Sequence, residues 1–91
     1  MKALDRITVC NEARQHELGK GRLAIGDNYA RIHVPGAADA VLPDQDIHAM
    51  DVVASCSGSL LYAGSVWDVE ETDTHMGSKV VLRCLPAEAH T

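Results

Sequence analysis

Apolar and polar residues alternate with a period of two along most of this chain, the spacing of strands that bury one face and wet the other. In Asp5-Arg6-Ile7-Thr8-Val9-Cys10, Ile7 and Val9 share one side while Arg6 and Thr8 take the other. Residues 28–34 repeat the pattern, with Ala30, Ile32 and Val34 opposite Tyr29, Arg31 and His33, and the turn dipeptide Pro35-Gly36 ends it. Residues 50–56 form a β-rich run closed by the turn-like Ser55-Cys56-Ser57-Gly58-Ser59. A short run, Leu60-Leu61-Tyr62-Ala63, stops at Gly64, and residues 65–71 then alternate with Trp67 and Val69 on one side and Asp68 and Glu70 on the other. The last strand spans residues 78–85, with Val80, Leu82 and Cys84 facing one way and Lys79 and Arg83 the other, before Pro86.

Residues 11–26 read two ways. Asn11 can cap a two-turn helix through Leu18, with Gly19 closing it. Leu18 is the only large apolar residue such a helix would bury, and a long hairpin tip leading into residues 21–26 fits equally. Residues 35–49 read as a long loop and residues 86–91 as a flexible tail. Five or six short strands, with turns roughly every 8 to 12 residues, predict an all-β fold of one domain over residues 1–91. A small antiparallel barrel is favoured over an open sandwich, because closure removes exposed edges that no convincing helix is present to cover.

With 91 residues the chain can form one core, and 46% hydrophobic with 23% charged residues is the balance of a folded globular chain. One Trp, two Tyr and no Phe leave little with which to stack nucleic-acid bases. Eight Lys and Arg against 13 Asp and Glu leave a net charge of −5, which as a total argues against a grip on phosphates and for a protein partner. No apolar run reaches the roughly 18 residues of a membrane span. Three scattered cysteines without a CxxC pair form a poor disulfide framework and fit a reducing compartment.

Catalytic and metal chemistry find little support. Asp44, Asp46 and His48 fall close together, and Asp73 with His75 makes a second acid–histidine pair. Neither has the matched ligand pairs of a zinc site, so histidines on loops and wet faces are the expectation. Cys84 lies on an apolar strand face, and Cys56 lacks the surroundings of an activated nucleophile. We therefore expect no catalytic residue, no cofactor and no metal. Interaction chemistry is more legible. Gly19-Lys20-Gly21-Arg22 reads as a glycine-rich hairpin tip in which Lys20 and Arg22 make a basic docking knob. Asp44 and Asp46 sit in the long loop, and Glu70 and Glu71 mark an acidic strand end that can meet a basic neighbour. Trp67, beside Val69, is expected in the core, with an exposed interface anchor as the other possibility.

The order of these features resembles the small phage head–tail junction proteins, a group of stopper, minor capsid and head-completion proteins. The likeness rests on the D-R-I-T-V strand Asp5-Arg6-Ile7-Thr8-Val9, and on Asp51-Val52-Val53 after the acidic loop Pro43-Asp44-Gln45-Asp46. It continues with the aromatic-x-V strand Trp67-Asp68-Val69, and with a short loop, residues 73–78, that leads into the apolar strand of residues 79–85. One departure is Met50, where such proteins carry a Gly-Asp turn. The resemblance implies a non-enzymatic virion protein, present in the host cytoplasm during assembly. It implies self-assembly into a ring below the portal and adaptor, with those proteins and the tail as partners and DNA only as passing cargo. On this reading residues 12–20 and 35–49 make the contacts above and below. Two readings of other classes stand beside it: a cytoplasmic β-barrel protein-interaction module and a small metal-binding domain.

Overall fold

The computed structural model describes residues 1–11, 15–37 and 50–85. Six antiparallel strands, β1 (Lys2–Cys10), β2 (Gln15–Ile25), β3 (Ala30–Pro35), β4 (Asp51–Cys56), β5 (Ser59–Thr74) and β6 (Gly77–Cys84), close into a barrel in the order β1-β2-β3-β6-β5-β4. The expected all-β barrel is the observed fold. Each alternating run places its apolar side inward, because a shift of one residue would turn the whole apolar set to solvent. The interior holds Leu4, Ile7 and Val9 of β1, Ile32 and Val34 of β3, Val52 of β4, Tyr62 and Val66 of β5, and Val80, Leu82 and Cys84 of β6. Among the described residues no polar or charged residue is buried, so the lumen is a packed core.

Two hairpin turns follow from local chemistry. Cys56 pairs with Ser59 across Ser57-Gly58, and both central residues have positive φ, 53° and 81°, the geometry whose twist matches the flanking strands. At the other hairpin Thr74 pairs with Gly77, and the Thr74 hydroxyl donates to the Gly77 carbonyl at 2.6 Å.

Of the two readings of residues 11–26, the described part agrees with the hairpin and not with the helix: Gln15–Ile25 is a strand antiparallel to β1, with Cys10 opposite Gln15 and Val9 opposite His16. Leu18 is only half-buried, too little apolar surface to hold a helix against the barrel. Nor does Gly64 break the chain, since β5 runs unbroken through 16 residues. Its first half pairs with β4 and its second half with β6, so Gly64 lies near the corner where the strand changes partners. A Cβ there would collide with the Tyr62 ring. Finally, Pro35 is the last residue of β3, opposite Lys79, and not the start of the loop. It has no N–H to offer, and Gly36 N–H donates to the Ser78 carbonyl instead, at 2.9 Å.

Candidate interaction surface

The outer wall of the barrel carries the chemistry. On β2, Lys20 and Arg22 alternate with inward Gly21 and Leu23; on β3, Arg31 and His33 alternate with Ile32; on β6, Lys79 and Arg83 alternate with Val80 and Leu82. The ladder aligns Arg22 with His33, His33 with Val81, Arg31 with Arg83, and Pro35 with Lys79. Five of the eight lysines and arginines therefore share one outer face of a chain whose net charge is −5. The total charge conceals this segregation.

At one end of this face Lys20, Arg22, His33 and Lys79 line a groove of about 550 Å³, closed on the far side by Thr74, Met76 and Ser78 of the β5–β6 hairpin. His33 Nδ1 is buried there without a hydrogen-bond partner. Burial, then the charges of Lys79 and Arg31, hold the imidazole pKa below its ordinary value. Lys20 and Arg22 were expected on a hairpin tip. They lie instead inside β2, where the positive φ of Gly19 (85°) sits between two irregularities of register with β1.

The second cluster lies where β5 meets β6. Arg83 donates to Glu70 at 2.6 Å, approaches Asp68 to 3.9 Å, and stands 5.9 Å from the centroid of the Trp67 ring. Trp67 faces out, 53% exposed, and does not join the core as expected. The cause is the bulge between Val66 and Asp68, which directs Val66 inward and hands its neighbour to the outer wall. Glu71 is exposed opposite Val80, so the two glutamates point to opposite sides of the hairpin.

Asp44, Asp46 and His48 lie outside the described residues. Asp73 accepts from the Ser78 hydroxyl at 2.9 Å, and His75 is exposed in the adjacent turn. Among the described residues no group of three or more His, Cys, Asp or Glu is placed to hold a metal ion. Nor does any described helix have the length and hydropathy to cross a membrane. Cys10 and Cys56 are half-buried and Cys84 is buried, all as free thiols.

Inside the barrel, burial pushes the Cys84 thiol up to about 12 and the neighbouring Tyr62 hydroxyl up to about 12. Tyr62 also donates to the Leu85 carbonyl at 2.5 Å. Below pH 9, the ordinary value for the thiol, folded and unfolded chains both keep these protons and the contribution of these two groups to stability is fully present. Above it the unfolded chain releases protons first, so stability falls as pH rises toward about 12. Urea titrations at pH 8, 10 and 11 should show this decline, and Tyr62→Phe should make it shallower above pH 10, the ordinary value for tyrosine.

The residues that sequence reasoning passed over are Arg31, His33, Lys79 and Arg83. Each was recognised as the polar side of its strand, but nothing local says that β3 lies between β2 and β6. Compared with known proteins, the chain matches no family model, no curated protein and no solved structure.

Proposed function

We propose that this chain is a structural, non-enzymatic component of a phage head–tail connector, forming or joining a ring below the portal and adaptor and linking head to tail. The observation that carries the reading is Trp67, turned outward at the bulge of β5 with Arg83 over its ring. Tryptophan and arginine are the side chains that most often anchor protein interfaces, and a rigid barrel wall fixes where this pair points. Three of the segments behind the resemblance fall on wall strands, with Asp5 to Val9 in β1, Asp51 to Val53 in β4 and Trp67 to Val69 in β5, while residues 43–46 lie outside the described residues. A patch on one side of a barrel suits head-to-tail contacts, which close into rings when the rotation between neighbours allows.

Sedimentation velocity over a concentration series, with negative-stain imaging of the largest species, tests this. One discrete multiple of the chain mass with a ring outline is expected. Trp67→Ala should weaken its assembly at least tenfold while the circular dichroism spectrum stays unchanged. A monomer at every concentration, unaffected by Trp67→Ala, overturns the self-assembling form and favours the interaction-module reading.

A further inference from the structure

The groove at the β2–β3–β6 face has a chemistry that ring contacts through Trp67 leave unused. Lys20, Arg22 and Lys79 line it, and no carboxylate stands directly across the ladder from Arg22 or Lys79, whose partners are Ala3 and His33 for the first and Pro35 and Thr72 for the second. Arg31 and Arg83 are directly opposite one another, an arrangement that costs stability in a sheet. Arg83 is offset by Glu70 and Asp68, whereas Arg31 has the Tyr29 ring at 5.0 Å. The buried, unpartnered His33 Nδ1 lies at the same groove. A fold that gathers most of its few cations on one wall, against their mutual repulsion, has a surface suited to an anion.

We propose that this groove binds the phosphodiester backbone of nucleic acid. Two observations favour it over an acidic polypeptide. Among the described residues no Trp, Tyr or Phe lines the groove, so it lacks the large aromatic anchors of protein interfaces and offers chiefly charge. The chain as a whole is also acidic, at −5, and repels an ordinary acidic protein. Nucleic acid differs because its condensed counterions are released on contact, a favourable contribution that offsets that repulsion at low salt. With few aromatics elsewhere, recognition is of backbone charge and not of base sequence. The inference goes beyond the connector reading and holds whether or not the chain forms rings.

Fluorescence anisotropy with labelled single-stranded DNA, duplex DNA and RNA, each about 20 nucleotides long, tests it between 50 and 200 mM salt. Three cations in contact predict a log–log salt slope of about −2 to −3, and the tightest of the three probes identifies the source of the backbone. Lys20→Gln, Arg22→Gln and Lys79→Gln together should weaken binding at 50 mM salt by about 100-fold, the loss of most of the backbone contacts. Arg6→Gln, on β1 beside Glu17, should leave it unchanged. Melting temperatures of both variants establish that they fold. Absence of binding at 50 mM salt overturns the proposal, as does binding that survives the triple substitution. Equal affinity for polyglutamate, with the same sensitivity to the triple substitution, also overturns it and assigns the groove to an acidic polypeptide.

Discussion

Leu82→Ala is expected to destabilise the barrel by about 3 kcal/mol, within the range for a fully buried leucine cut back to alanine. Leu82 has no solvent exposure and sits between Ile32 of β3 and Val69 of β5 in the ladder. Ile32 belongs to a strand paired on both sides, with β2 and with β6, so it can move little to fill the void. For a domain of this size each kcal/mol corresponds to about 4–8 °C of melting temperature, and the loss should appear as a fall of roughly 15 °C in a calorimetric scan. Leu60 offers the contrast, because it is 62% exposed on β5. Leu60→Ala should change stability by less than about 0.5 kcal/mol. Equal losses at the two positions would mean that the barrel interior is not the core.

Gly21→Val is expected to be as damaging by the opposite means. Gly21 lies opposite Leu4 of β1, next to Arg22, whose partner on the other side is His33 of β3. A Cβ on Gly21 would fall inside contact distance of the His33 carbonyl oxygen and 2.7 Å from Ile7 Cδ1. The first obstacle is backbone and cannot rotate away, so β2 and β3 must part at the place where the wall closes. Crowding of this kind costs about 1–3 kcal/mol and occasionally more. The backbone clash puts this case at the upper end, about 3 kcal/mol in a urea titration. Gly58 serves as the control, with a left-handed φ of 81° and nothing within 4 Å of its would-be Cβ. Gly58→Asn should be tolerated to within about 1 kcal/mol, since asparagine accepts that conformation better than other residues. A variant at Gly21 as stable as that control would mean that the close approach of β2 to β3 is not required.

Where one strand face meets the core and the other meets water, the residues announce it. Ile7 and Val9, Ile32 and Val34, and Val80 and Leu82 were each placed on the correct side by alternation alone. The failures occur where a strand departs from that condition. Residues 15–20 of β2 carry only Leu18 as apolar content, so no period was visible. At Trp67 alternation was read through a bulge, and one extra residue moved the tryptophan from the expected core to the outer wall. Gly64 separates two apolar runs in the sequence, yet both belong to one long strand that changes partners near it.

The candidate groove was legible in part. Lys20 and Arg22 were singled out for their charge, although they were assigned to a tip and lie within β2. Arg31, His33, Lys79 and Arg83 were visible as polar positions on two separate strands. Their convergence depends on β3 pairing with both β2 and β6, contacts that join residues some 10 and 50 positions apart. Side-chain alternation in the sequence places the inward residues of β1, β3 and β6 and makes the fold all-β, and backbone preferences over a few neighbours place the turn at Ser57-Gly58. Only the tertiary structure decided the strand order, the outward turn of Trp67 and the gathering of five cations on one wall of an acidic chain. Strand order and register are set by closing one barrel around one core, and that constraint acts between residues far apart in the chain, where no local pattern records it.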